Sequence, residues 1–146
     1  MKKKVKSRLL KIRPSRHFSW GELACHDGTS YITGLVQHEG LSVYRAWRRG
    51  RKLAKYLERT RKKVGQPLHL NSVYRTPSYN RAIGGEPNSA HTRGYAADIA
   101  TPKGMSTKEF AGVCRRIWPS GIGHYNTQGF VHCDYDPVLG RREWYG

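Results

Sequence analysis

Between Leu41 and Val64 the apolar residues Val43, Ala46, Trp47, Leu53, Ala54, Leu57 and Val64 recur at helical spacing. The positions around them are filled by Arg45, Arg48, Arg49, Arg51, Lys52, Lys55, Arg59, Arg61, Lys62 and Lys63. This pattern predicts one long amphipathic helix with a single apolar stripe and a basic face, and the rest of the chain has to cover that stripe. Gly65 and Pro67 end the helix in the manner expected of a C-terminal stop.

After that stop, LHLNSVY (68–74) alternates as a strand, and YRTPSYN (74–80) reads as a turn because Pro77 disfavours helix at the residue before it. Residues 80–94 carry Gly84, Gly85, Pro87, Asn88 and Gly94 and read as loop, and YAADIA from Tyr95 reads as a short buried strand. Ser106 with Glu109 forms a capping-box pattern before Phe110, Val113, Cys114, Ile117 and Trp118, a second helix ended by Pro119. GIGHYNTQGFVHCDY predicts two strands joined by a turn at 126–129. The order of elements implies an α+β fold: a small, largely antiparallel sheet, helices mainly on one face, and the other face free for a site.

With 146 residues and no repeats, the chain fits one domain, 18–146, preceded by a basic flexible arm, 1–17. The first sixteen residues hold Lys2, Lys3, Lys4, Lys6, Arg8, Lys11, Arg13 and Arg16 with little apolar periodicity. They lack the apolar run of a secretion signal, and no later stretch would span a bilayer, so accumulation in the cytoplasm on synthesis is expected. Cys25, Cys114 and Cys133 are odd in number with no CxxC spacing, which argues for buried thiols over a disulfide framework or a cysteine zinc knuckle. A formal net charge of +17 predicts attraction to polyanions. Nucleic acid, anionic lipid and a bacterial envelope satisfy that field equally, because charge does not name its counter-ion.

Three pieces carry the chemistry. In SAHTRGYAAD (89–98), His91 and Asp98 flank Gly94, where the chain can turn sharply enough to aim both side chains at one point. In GFVHCD (129–134), period-2 alternation puts His132 and Asp134 on one face and Val131 and Cys133 on the other. YRTPSYN contributes Arg75. Two imidazoles and a carboxylate are a three-ligand zinc set that leaves a fourth position for water, the arrangement that suits amide hydrolysis. From spacing alone, a histidine satisfied within the core is the commoner reading of a lone strand histidine such as His132.

SAHTRGYAAD matches, at Ser89, His91, Gly94, Ala96 and Asp98, the S-x-H-x-x-G-x-A-x-D signature of the zinc D-Ala-D-Ala carboxypeptidase family, the M15-like branch whose fold is shared with lysostaphin and hedgehog domains. VYRTPSYN resembles that family's arginine-bearing segment, and GIGHYNTQGFVHCD its closing strand pair, in the compact form common among bacteriophage lysis and tail proteins; FSWGELACHDG is similar to its entry segment. The resemblance covers roughly residues 18–144. It implies His91, Asp98 and His132 as zinc ligands and Arg75 as the substrate-binding arginine, a role suited to a guanidinium that holds a carboxylate or a developing oxyanion. Ser89 and Asn80 are expected to shape the site through hydrogen bonds to loop backbone.

The sequence departs from the family at one point. Many members carry an acid three residues before the last zinc histidine as general base, and here that position is Gly129. Asp134, as base or as the acceptor fixing an imidazole tautomer, and His124, expected opposite His132 in the hairpin, are the two replacements the sequence offers. The tryptophans are expected to pack the core or its rim, and His17, His26, His38 and His69 have no ligating spacing.

The resulting expectation is a monomeric zinc peptidase that cuts peptidoglycan stem peptides, as carboxypeptidase or endolysin-type endopeptidase. Its basic face would hold it on an anionic wall or membrane surface, and it would act after release from the cell or as part of a phage virion. The alternatives are a zinc-bearing, wall-binding module that no longer cuts, and a basic nucleic-acid-binding protein, which leaves the His-Asp-His pattern without a purpose.

Overall fold

The structure, a computed structural model, describes residues 2–146. The long basic helix is α4 (Val43–Val64), with Ser42 as its N-cap and Gly65, at φ +73°, as its C-cap. Ala46, Leu53, Ala54 and Leu57 on its apolar stripe are fully buried. They join one core with the helix α6 (Thr107–Ile117) and the inner face of a five-stranded sheet. Ser106 caps α6 by accepting from the Glu109 N–H.

The sheet runs in the order β1-β2-β4-β3-β5, with β1 (Leu70–Ser72), β2 (Ala96–Ala100), β3 (Gly121–Tyr125), β4 (Phe130–Asp134) and β5 (Arg142–Tyr145). Every pairing is antiparallel except that of β3 with β5. Ala97, Ile99, Ile122, Val131 and Cys133 point into the core. The alternating positions Asp98, His132 and Asp134 therefore face the other side, as the strand pattern predicted, and the fold is α+β. All three cysteines are buried and free.

Several elements differ from the sequence reading. The segment read as a flexible basic arm contains a helix, α1 (Lys2–Leu10). Leu9 packs on the core, and the Trp47 indole donates to the Leu9 carbonyl at 3.2 Å; these contacts lie far along the chain and leave no local period to read. Two helices, α2 (Trp20–Leu23) and α3 (Tyr31–Glu39), precede α4, and α2 opens with a reciprocal capping box between Ser19 and Glu22. The YRTPSYN turn is instead the start of a short helix, α5 (Pro77–Ala82), because Thr76 caps it and Pro77 takes the first helical position, where its missing N–H costs nothing. Within the expected loop, Ala90–Arg93 forms a 3-10 turn that Gly94 closes at φ +77°.

Candidate metal centre

The register of the sheet assembles the site as one row. Ser72 pairs with Asp98, Asp98 with His132, His132 with Gly123, and Gly123 with Trp144. Directly paired residues share a face, so Asp98, His132 and Trp144 present one line of side chains to a cleft of 630 Å³, with the bare backbone of Gly123 between the last two. The 3-10 turn brings His91 over that line, because Ser89 Oγ accepts from the His91 N–H and Gly94 turns the chain into β2. Gly123 is required here: a Cβ on it would lie 2.7 Å from the Trp144 indole.

His91 Nε2 and Asp98 Oδ1 lie 3.0 Å apart, His132 Nδ1 and Asp98 Oδ1 3.0 Å, and the two imidazole nitrogens 3.2 Å. All three residues are buried. The far nitrogen of each ring is already committed. His91 Nδ1 lies 2.6 Å from the Val73 carbonyl, which can only accept, and His132 Nε2 lies 2.7 Å from Asp134 Oδ2. With Nδ1–H on His91 and Nε2–H on His132, the remaining nitrogens turn their lone pairs toward each other and toward Asp98. Three acceptors then converge with no proton among them, which only a cation or an extra proton can satisfy. A zinc ion about 2.0–2.1 Å from tetrahedral ligands holds them about 3.3 Å apart, so the triangle fits the ion closely.

The electrostatics agree. Burial holds His91 below the ordinary imidazole range despite the neighbouring Asp98, so it is neutral at physiological pH. For His132 burial acts in the same direction, but its bonds to Asp134 and Asp98 together outweigh it and raise its pKa. Asp98 sits far below the usual carboxylate range: burial opposes this, and the two histidines overcome it.

Arg75 donates from Nε to Ser72 Oγ at 3.0 Å, from one terminal nitrogen to Asp98 Oδ2 at 3.0 Å and from the other to Asn80 Oδ1 at 3.4 Å. Of its five N–H groups, two remain, one on each terminal nitrogen. Asn80 also donates to the Glu86 carbonyl at 2.8 Å, which ties the loop to the arginine.

Asp134 is fully buried and shared among His132, the Arg142 guanidinium (2.7 Å) and the backbone N–H groups of Gly121 (3.0 Å) and Asp136 (3.1 Å). His124 is not opposite His132. The hairpin pairs it with Val131, one residue out of the expected register, so it lies on the core side of the sheet, stacked on Tyr145 at 4.3 Å. Gly129 stands at φ +71° and closes the hairpin by donating to the Tyr125 carbonyl at 2.8 Å, and it brings no carboxylate to the site.

The sequence reading missed an aromatic wall and one acid. Tyr125 and Phe130 stack at 4.4 Å, the Trp144 indole donates to the Tyr125 hydroxyl at 3.1 Å, and the Trp144 ring lies 5.1 Å from His132. All three line the cleft, and so does Glu86, the sole carboxylate besides Asp98 to do so. Alternation of Arg142 and Trp144 in REWY was the one signal available for β5. Glu86 gave none, since its position depends on how the loop folds back onto α5.

Among the described residues, no helix is long and apolar enough to cross a membrane. No curated protein matches the chain. The family profile for Peptidase M15 matches residues 16–134, more than half of the chain, and spans Arg75, His91, Asp98 and His132. On that match, and with a buried His-Asp-His group built to take a metal, the chain belongs to the M15 family of peptidases.

Proposed function

We propose that the protein hydrolyses an amide bond in peptidoglycan stem peptides, with zinc held by His91, Asp98 and His132. The observation that carries this reading is the convergence of three lone-pair donors with both imidazole tautomers fixed from behind. Zinc held there supplies Lewis acidity, polarising the scissile carbonyl and lowering the pKa of the attacking water.

The chain's own groups do the rest. The two free N–H groups of Arg75 hold a carboxylate or carbonyl oxygen of the peptide, while Ser72 and Asn80 fix the plane of the guanidinium. The wall of Tyr125, Phe130 and Trp144 packs against an alanine-sized side chain and keeps bulk water from one side of the cleft. Asp134 acts as the acceptor that orients His132, since each of its oxygens already has partners. We assign proton transfer to Glu86 on the cleft lining, in place of the acid that Gly129 does not supply, and give His124 no part because it lies behind the sheet.

The test is release of amino groups from purified peptidoglycan by wild type and Asp98→Ala, each with and without zinc, with products identified by mass. Zinc-dependent release lost in the variant supports the peptidase, and the product mass separates cleavage at a terminal D-Ala-D-Ala from cleavage inside the stem. Absence of release by folded, zinc-loaded wild type would replace the enzyme with a wall-binding module.

A further inference from the structure

On the core side of the sheet, α4 and the ends of β2 and β4 enclose a second groove, of 1020 Å³, that shares no lining residue with the metal centre. Arg45, Arg48, Lys52, Lys55 and Arg59 line it, all exposed. Their spacings of three and four residues stack them in a single row, about 21 Å long at the helical rise per residue. Among the described residues none of the five is paired with a carboxylate. The one acid on the lining, Glu58, accepts from the backbone N–H and the imidazole of His17 at 2.7 and 2.8 Å. Like charges three and four residues apart on a helix repel, and anions lying along this row would relieve that repulsion.

The floor says what kind of polyanion fits. The rings of Tyr95 and Tyr135 meet at 5.0 Å, and those of Tyr56 and Tyr135 at 5.3 Å. Cations cover them: Arg49 lies 4.3 Å over Tyr95, Lys52 5.3 Å over Tyr135 and Arg59 5.9 Å over Tyr56. Single-stranded nucleic acid is held largely by stacking bases on open aromatic faces, and here those faces are taken by the charges themselves. A bilayer surface is flat and needs an apolar helix face to enter it, whereas the apolar stripe of α4 is buried in the core.

We propose that this groove binds a polyol-phosphate chain, a phosphodiester polymer without bases, through its phosphates. The choice of polymer rests on the envelope substrate proposed above; the anion chemistry of the groove does not. Anchoring on such a chain would leave the metal centre, on the opposite face of the sheet, free to meet peptide.

The experiment titrates full-length protein with a synthetic poly(glycerol phosphate) oligomer over a range of salt concentrations. Single-stranded and duplex oligodeoxynucleotides of equal phosphate count, and phosphatidylglycerol vesicles, serve as rivals. The groove variant is Arg48→Gln, Lys52→Gln, Lys55→Gln and Arg59→Gln together; the control is Lys4→Gln, Arg8→Gln, Lys11→Gln and Arg13→Gln, with the same loss of charge. The groove variant should bind the oligomer at least about tenfold more weakly, with a log–log salt slope shallower by about 3, and the control less than about threefold more weakly. Both variants should keep a single cooperative melting transition, which shows that the binding loss is not unfolding. Equal loss in both variants, or tighter wild-type binding of either oligonucleotide or the vesicles, overturns the proposal. Turnover of a soluble stem peptide is read on the same preparations: its absence in wild type would strike the function proposed above, while the titration still decides the groove.

Discussion

Asp134 orients His132 through Nε2 while Arg142 and two backbone N–H groups hold the carboxylate itself. Asp134→Asn should therefore weaken zinc affinity by about 10–100-fold with the fold intact, measured by competition with a chromophoric chelator. Proton competition at the site has a definite sign. Metal needs both imidazoles neutral; His91 is already held low, whereas the pKa of His132 is raised, so affinity should begin to fall at a pH above the ordinary histidine value and keep falling as pH drops, by about tenfold per pH unit for one displaced proton. The same titration over pH checks it, and a flat profile would mean that His132 is not a ligand. Glu86→Gln should lower kcat by about 10²–10⁴-fold with zinc affinity unchanged, whereas His124→Phe should leave both within about twofold. If the two variants exchanged these outcomes, the assignment of the proton carrier would be reversed.

At the scale of elements, what could be read in the sequence divides by the range of the interaction that fixes it. α4 and α6 were legible because their apolar residues keep a helical period against α4's charged face and between clear stops, and the β3–β4 hairpin because Gly129 marks its turn. His91, Asp98 and His132 were recognised through motif spacing, and the face shared by His132 and Asp134 followed from alternation. α5 was misread as a turn because Pro77 disfavours helix before it and favours it after, and Thr76 decides between the two. The register error at His124 is a single residue, and in a strand a single residue changes the face. β5 left only the alternation in REWY as a signal, since four residues pairing in parallel with β3 depend on contacts made across the chain. Yet β5 supplies Trp144 to the cleft from beyond the matched span of the family, which ends at residue 134. Gly123→Ala should force that indole aside, raising KM for stem peptide more than it changes zinc affinity.

For the whole molecule, acid stability should be set by the carboxylates beneath the cleft. Burial acts against ionisation of Asp134, but its bonds to His132 and Arg142 prevail and lower its pKa to about 2. A carboxylate depressed on folding stabilises fully above its unfolded value near 3.9, and that contribution, about 2 kcal/mol, is lost as pH falls toward 2. Melting temperature measured in chelator should therefore drop steeply between about pH 4 and 2, and less steeply in Asp134→Asn.

The reciprocal pair in which His91 Nδ1–H donates to the Val73 carbonyl while the Arg75 N–H donates to the His91 carbonyl reaches beyond catalysis. It stitches the exit of β1 to the 3-10 turn across a stretch of chain that contains α5 and Arg81. Any ion that fixes the His91 ring is then a clasp on that whole stretch, and its removal should make the stretch a protease-sensitive hinge. Trypsin would nick at Arg81 in chelator and spare it in zinc, so that the availability of metal governs how long the protein survives as well as whether it cuts.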